Sequence, residues 1–248
     1  MMNTTMHNTV NLTNEEANSM FGDLDFVNDW NAVKGKIFLG FLPAGRDNAA
    51  QDLVGDGWCN LGLHYYYYIP ITEAASVKVT NSLLNRWKTN GQVSGAAEVY
   101  MTARENTAKE TRILDMQDTL VELMTGEPAP EATPEKDHMI LTITNKTKAK
   151  GAAAMMCDTI MDRVCQILRK ETVMILPSSI HEILAVNPDT MSVEQAVAMV
   201  KKINANEVEE HDRLADTVFF YNIYKGMFTA EEWETYMAED ENEENEEW

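Results

Sequence analysis

Apolar residues recur at two different periods along the chain, which predicts both helices and strands. Three- and four-residue spacing over Phe26–Phe38 predicts an amphipathic helix, with Asp25 or Asp29 as its N-cap. The same spacing over residues 96–123 predicts a long helix, or two helices divided at Thr107 or Thr111. The N-terminal half is therefore expected to be mostly helical.

A run of four tyrosines interrupts this helical pattern. Leu61–Ile71 reads LGLHYYYYIPI, and its aromatic content predicts a strand. Strand geometry places Tyr65 and Tyr67 on one face and Tyr66 and Tyr68 on the other. The four rings are candidate binding residues as a stacking platform, although a half-buried strand with amphipathic rings explains them more simply.

Beyond residue 139, short β-branched runs alternate with helical segments. The predicted strands are Met139–Thr144, Gly151–Cys157, Val173–Leu176, Ile180–Val186 and Val218–Tyr224, and the predicted helices are Thr159–Lys170 and Ser192–Asn204. The residues Pro177-Ser178-Ser179 suit a hairpin turn. This order predicts an α+β fold, with a mixed or antiparallel sheet and helices packed on one face.

Changes in composition predict five regions along the chain. Residues 1–25 form a flexible arm, 26–124 an N-terminal α-rich subdomain, and 125–138 a linker rich in Pro, Glu and Thr. Residues 139–228 form a C-terminal α+β subdomain. Residues 229–248 form an acidic tail that charge repulsion is expected to keep disordered.

The charge balance favours one kind of partner. Forty acidic residues stand against 20 basic ones, a formal net charge of −20, and this disfavours direct contact with nucleic acid or anionic membranes. The expected partner is another protein with a basic surface. The acidic residues of the tail are candidate binding residues: Glu239, Asp240, Glu241, Glu243 and Glu244.

The hydropathy, the N-terminus and the cysteines indicate the cellular compartment of the protein. No apolar run is long enough to span a membrane, and the N-terminus lacks the basic start and apolar core of a signal peptide. Cys59, Cys157 and Cys165 lack CxxC spacing and are expected to be buried thiols in a reducing compartment. These observations predict a cytoplasmic protein.

The segment around His181 offers the only candidate catalytic group in the sequence. Ser178 or Ser179 as nucleophile, with His181 as base and Glu182 beside it, has the residue types of nucleophilic catalysis. In an extended segment Ser179 and His181 share a face while Glu182 points away, which favours a structural role for the serines and His181. Metal-ligand spacing and nucleotide-binding glycine motifs are absent from the sequence, so no metal and no cofactor are predicted.

Three stretches of the C-terminal half are distinctive: TNK at Thr144–Lys146, GAAAMM at Gly151–Met156 and ILPSSIHEIL at Ile175–Leu184. Together they resemble the bacterial family catalogued as domain of unknown function 5688. The similarity extends more loosely from Asp29 to Tyr224. Members of that family occur in gut Firmicutes, often near mobile elements and phages, and have no assigned activity. The resemblance implies a shortened, phage-borne member, and the acidic tail departs from the family pattern.

The sequence leaves three hypotheses for the function of the protein. The leading hypothesis is a non-enzymatic factor that binds another protein, in one form an acidic anti-defence inhibitor that occupies a nucleic-acid-binding groove. The first alternative is a hydrolase or transferase that uses Ser178 or Ser179 with His181. The second is a structural or assembly component.

Overall fold

The structure, a computed structural model, describes residues 24–45, 52–55, 57–58, 61–72, 75–177 and 179–246. The side chains of residues 57–58 and 239–246 lie outside that description. The arm expected at 1–25 falls almost wholly outside it as well, and so do Cys59 and Ser178.

The described residues form seven α-helices and ten strands. The helices are α1 (Trp30–Val33), α2 (Asn81–Thr89), α3 (Ala96–Glu110), α4 (Met116–Thr125), α5 (Asp158–Leu168), α6 (Val193–Asn206) and α7 (Ala230–Glu246). The strands are β1 (Phe38–Phe41), β2 (Gly57–Trp58), β3 (Leu63–Pro70), β4 (Ser76–Lys78), β5 (Thr111–Asp115), β6 (Ile140–Asn145), β7 (Thr172–Leu176), β8 (Ile183–Val186), β9 (Phe219–Asn222) and β10 (Gly226–Thr229). Short 3₁₀ helices are Asp25–Asn28, Gly151–Met156 and Pro188–Thr190. The α+β class is confirmed.

The tyrosine segment forms the centre of a four-stranded antiparallel sheet. Strand β3 pairs with β1 along one side and with β2 and β4 along the other. Tyr65 and Tyr67 contact each other towards the main core, while Tyr66 and Tyr68 pack together on the opposite face. The predicted alternation of the four rings is therefore confirmed.

A second antiparallel sheet has six strands in the order β10-β9-β7-β8-β6-β5. The predicted hairpin is its central pair, β7 and β8. Along β7, Val173 and Ile175 face a core that α5 covers, whereas Met174 faces α6. The structure thus adds helices on the second face of the sheet to the packing predicted for one face.

One apolar core is shared by the two sheets and runs from Trp30 to Tyr221 along the sequence. Within it, Trp87 is fully buried, and its Nε1 donates a hydrogen bond to the Val27 carbonyl at 2.9 Å. The Trp30 and Trp87 ring centroids lie 5.2 Å apart. The contacts of Trp87 with Trp30 and Val27 attach the segment that contains these two residues to α2. The division of the chain into two subdomains stays a prediction.

Two sequence-based elements are wrong, and a third is right in part. The helix predicted for Phe26–Phe38 ends at Val33, and Phe38 begins β1, because that segment hydrogen-bonds with β3. Residues 96–123 form two helices divided at Thr111, as one of the two predictions had it, but the strand β5, which pairs with β6, lies between them. The strand predicted at Gly151–Cys157 is a buried 3₁₀ helix, which packs against β6, β1 and α3.

Residues 126–137, within the predicted linker, run along the outer edge of β5. The Ala132 N–H donates to the Ile113 carbonyl at 2.8 Å, and Glu131 forms a bridge with Leu114. Ala129 and Ala132 are buried. This segment therefore covers the backbone edge that β5 would otherwise present.

The acidic tail was expected to be disordered, but a helix, α7, extends from Ala230 to Glu246. Its first turns are held by aromatic contacts: Trp233 stacks on Phe220 with ring centroids 5.0 Å apart. Lys225 Nζ lies 3.6 Å from the centroid of the Tyr236 ring. Favourable packing at the start of the helix offsets the charge repulsion that the composition alone predicts.

Candidate functional site

The loop after β7 carries the serine and histidine that the sequence suggested as catalytic. Ser178 lies outside the described residues. The Ser179 hydroxyl accepts a hydrogen bond from the His181 backbone N–H at 3.0 Å. This is a local turn contact of the kind that stabilises loops.

Both ring nitrogens of His181 face structural partners. Nδ1 accepts the Lys150 backbone N–H at 3.1 Å, so the ring proton lies on Nε2, 3.1 Å from Asp212 Oδ1. The His181 carbonyl accepts hydrogen bonds from the Gly151 N–H and the Thr144 hydroxyl. His181 therefore ties the loop after β7 to the turn that follows β6.

Glu182 follows His181 in this loop and is partly exposed. Burial raises the pKa of its carboxyl group, and the charge of Lys148 partly opposes that shift. The separation of Glu182 from the side of Ser179 and His181 stays a prediction.

We expect His181→Ala to lower the free energy of unfolding by about 2 kcal/mol, because the Lys150 N–H and the Asp212 carboxylate both lose a partner. For a chain of this size that corresponds to a fall in melting temperature of roughly 4–8 °C. His211→Ala is the matched control, since His211 is about half exposed and lies 3.7 Å from the same aspartate. If His181→Ala melts at the same temperature as the control, the structural role of His181 is contradicted. The hypothesis that His181 is a catalytic base would then be favoured.

The tyrosine rings are mostly covered. Tyr66, Tyr67 and Tyr68 are buried, and only Tyr65 is partly exposed. Gly40, opposite Tyr66 in β1, leaves room for that ring: a Cβ at Gly40 would lie 3.1 Å from its Cζ. The rings serve mainly as packing groups, so a broad stacking platform is not what they present.

Two lysines lie over the outer pair of these rings. Lys78 Nζ is 4.9 Å from the Tyr66 ring centroid, and Lys150 Nζ is 4.9 Å from that of Tyr68. Lys150 Nζ also donates to the Ser76 hydroxyl at 3.2 Å. The basic turn after β6 thus reaches the face of the tyrosine sheet.

Helix α4 has an orientation that the sequence did not indicate. Its apolar residues have the predicted helical spacing, but it buries none of them. Leu120 is 50% exposed, Leu123 67% and Met124 86%. Met101, another apolar residue of the segment 96–123, is also exposed.

The inner side of α4 is polar instead. The Glu122 carboxylate lies 2.8 Å from Lys148 Nζ and 3.4 Å from an Arg112 guanidinium nitrogen, and it accepts the Ala129 N–H at 3.0 Å. Burial alone would raise the pKa of Glu122, but these hydrogen bonds and cations lower it below its usual value. Ion pairs therefore attach α4 to the sheet and turn its apolar side outwards.

We define the exposed apolar face of α4 as Leu120, Val121, Leu123 and Met124. Met139, 76% exposed, lies close to the start of the helix, because the neighbouring His138 imidazole is 2.8 Å from the N-cap Asp115 carboxylate. No local signal in the sequence indicates this orientation, because an acidic residue such as Glu122 on an amphipathic helix ordinarily faces solvent.

The tail residues proposed for binding are placed only in part. Helix α7 carries the backbone of Glu239, Asp240, Glu241, Glu243 and Glu244, and their side chains lie outside the described part of the chain.

Among the described residues, no group of three or more His, Cys, Asp or Glu side chains is arranged to hold a metal ion. In that same part of the chain, no helix is both long and apolar enough to cross a bilayer.

The fold and this site define an α+β protein of two antiparallel sheets that displays an apolar helix face. The chain belongs to a family of unknown function (DUF5688), whose model matches residues 1–223. The match includes α4, the turn after β6 and the loop after β7, and it ends just after β9. No curated protein and no solved structure is significantly similar to the chain.

Proposed function

We propose that this protein acts by binding another protein, and that the exposed apolar face of α4 is the surface that binds. The observation that carries the proposal is the reversed orientation of α4, with Glu122 anchored inside and Met124 86% exposed outside. An isolated exposed apolar side chain is ordinary, but four on one short helix form a contiguous patch. Such patches, at several hundred Å², mark interaction sites on soluble proteins.

The charges around this face favour a basic partner. Helix α4 has no basic residue, and Asp118 and the following Glu127 add negative charge, whereas Glu122 and Glu131 are paired with Arg112. The whole chain carries a net charge of −20. We therefore propose a partner with an apolar groove bordered by Lys and Arg, since complementary charges at the rim speed association and exclude acidic competitors.

The acidic tail extends this proposal. Aromatic contacts at Trp233 fix the start of α7, so the run of Glu and Asp that follows belongs to a helix with an anchored base. An acidic helix suits a groove that otherwise receives nucleic-acid phosphates, which supports the narrower form in which the protein is an anti-defence or regulatory inhibitor of a mobile element or phage.

We propose that this activity takes place in the cytoplasm. Cys157 and Cys165 are free, buried thiols, and burial raises the pKa of each to about 12. Thiols that are kept reduced and unreactive in this way suit a reducing compartment.

The test is a comparison of three forms of the full chain as bait in a host lysate: the natural protein, Leu120→Ser/Met124→Ser, and Met101→Ser. Met101 is 52% exposed, like Leu120, but lies on α3, so it is a matched control. We expect the natural protein and the control to retain the same basic protein, and the double variant to retain at least tenfold less of it, about 1.4 kcal/mol in binding free energy. Raising the salt concentration should weaken the capture.

Several outcomes would contradict the proposal. These are retention of the same protein by the double variant and the control, retention of an acidic protein, and no specific retention at all. Light scattering after size exclusion tests for self-association. If the natural chain is a dimer and the double substitution dissociates it, the exposed apolar face of α4 binds a second copy of this chain. Melting curves verify that the two serines, at exposed positions, leave stability nearly unchanged.

A further inference from the structure

We propose that His138 is a pH-sensitive clamp, which in its protonated form binds the segment 126–137 to the start of α4 and in its neutral form releases that segment. The geometry that supports this is a sheltered imidazole ring whose two nitrogens both face hydrogen-bond acceptors. The clamp lies at the start of the helix that carries the exposed apolar face, but it does not rest on the function proposed for that face.

The two acceptors belong to different parts of the fold. His138 Nδ1 lies 2.8 Å from Oδ2 of Asp115, whose other carboxylate oxygen accepts the Gln117 N–H at 2.8 Å as the N-cap of α4. His138 Nε2 lies 2.9 Å from the Thr133 carbonyl oxygen. The ring thus joins the end of β5 and the start of α4 to the segment that runs along the outer edge of β5.

Both acceptors can be satisfied only by the protonated ring. A carboxylate and a backbone carbonyl accept hydrogen bonds and donate none. The neutral imidazole carries one N–H, whereas the imidazolium carries two and can donate to both oxygens at once. The side chain of His138 is 3% exposed, so water has little access to replace the missing donor.

The neutral ring is expected to keep Asp115 and to lose Thr133. A hydrogen bond to a charged acceptor is stronger than one to a neutral carbonyl, so the single remaining N–H stays on Nδ1. Nε2 then presents a lone pair to the Thr133 oxygen, and the two repel each other. The Ala132 N–H, which bonds the Ile113 carbonyl of β5, lies next to this contact, so loss of the clamp should loosen the cover of the β5 edge.

The charged groups around the ring also favour its protonated form. Asp115 contacts it directly. The neighbouring segments carry further titratable groups, which are Asp118 on α4, Glu135, Lys136 and Asp137 between α4 and β6, and Arg169 after α5. Arg169 is engaged elsewhere, since it pairs with Asp137 at 3.2 Å and donates to the Pro134 carbonyl. Acidic groups outnumber basic ones in this set, so their combined charge attracts the imidazolium.

The clamp should weaken as the pH rises. In the folded chain the imidazolium forms one hydrogen bond that the neutral ring cannot form, whereas in the unfolded chain water serves both forms. The stabilisation is therefore present at low pH and is lost as the ring loses its proton. Histidine side chains ordinarily change charge between about pH 5 and 8, so the response falls in the physiological range.

The experiment measures amide hydrogen exchange of the full chain at about pH 5.5 and about pH 8.5, with each rate corrected for the intrinsic exchange rate at that pH. We expect the protection of the Ala132 amide to fall at least about fivefold at the higher pH, because a hydrogen bond that holds its segment is lost. The Gln117 amide, which bonds the retained Asp115 carboxylate, is the internal reference and should change less. NMR should show two sheltered ring N–H protons for His138 at the lower pH and one at the higher pH, and His138→Gln identifies these signals.

Asp115→Asn should remove the pH dependence without removing the helix cap. Asparagine is as good an N-cap as aspartate. Its amide nitrogen can donate to Nδ1, so the neutral ring with its proton on Nε2 serves both partners. The protection of Ala132 in this variant should therefore be nearly the same at both pH values. His211→Gln is the matched control, since His211 is about half exposed, and it should keep the response of the natural chain.

Equal loss of protection in the natural chain and in Asp115→Asn, or no loss in the natural chain, would overturn the proposal. So would fewer than two sheltered ring protons on His138 at the lower pH. The ring signals decide the question on the natural chain alone if Asp115→Asn fails to fold.

Discussion

Gly151→Ala should lower the free energy of unfolding by about 3 kcal/mol, as measured by urea denaturation. A Cβ at Gly151 would lie 2.7 Å from both the Asn145 nitrogen and the His181 carbonyl oxygen, and 2.8 Å from the Thr144 carbonyl carbon. All three are backbone atoms, so no side chain can rotate away. The substitution must displace either β6 or the loop after β7, and both belong to the centre of the fold.

The matched control is Gly35→Ala, where an added Cβ meets nothing within 4 Å. Its effect should stay within about 0.5 kcal/mol, as for most surface substitutions. If the two alanine variants unfold at the same urea concentration, the close packing of the Gly151–Met156 helix against His181 is not present in solution.

Trp87→Ala should cost about 3–5 kcal/mol, the range for removing a large aromatic side chain from a core. Trp87 is fully buried, contacts Trp30 and donates its indole N–H to Val27. Since both contacts lie near the first described residues, the loss should also release that segment from α2. Hydrogen exchange over residues 25–33 measures this second effect separately from global stability.

Trp87→Phe separates packing from the hydrogen bond. It keeps most of the apolar volume and leaves the Val27 carbonyl without its donor, so we expect a smaller loss, roughly 1–2 kcal/mol. Equal losses for the phenylalanine and alanine variants would mean that the hydrogen bond, and not burial, dominates at this position.

Local patterns were enough to predict several elements. The alternation of the tyrosine strand follows from backbone geometry alone. The helix predicted at Ser192–Asn204 is α6, and the Ser192 side chain accepts the Gln195 N–H in a capping box at its start. The β7–β8 hairpin follows from two β-branched runs around a proline-containing turn. In each case the determining residues are neighbours in sequence.

The features that were not predicted correctly depend on residues that are distant in the sequence. Strand β5 lies in a stretch with helical spacing, and it is a strand because β6, about 30 residues later, supplies its hydrogen bonds. The orientation of α4 depends on Lys148, which lies in the turn after β6 and attracts Glu122. Apolar spacing shows that a helix has an apolar side, but not whether that side meets the core or a partner.

The candidate site was predicted only in outline. The sequence located the distinctive segment around His181, but the contact between His181 and the Lys150 backbone joins residues 31 apart. The preference for a protein partner came from charge. The surface that we propose for that partner came from the exposed fractions of Leu120, Leu123 and Met124, which only the folded chain defines.

The order of strands in the larger sheet has a consequence for synthesis on the ribosome. Strand β7 lies between β8 and β9, so its second neighbour is complete only once Asn222 has been translated. Strands β5 and β6 emerge earlier, and their apolar surfaces must wait for partners that have not yet been translated. The nascent chain therefore exposes apolar surface of this sheet until residue 222 has been made, and such surface is prone to aggregation.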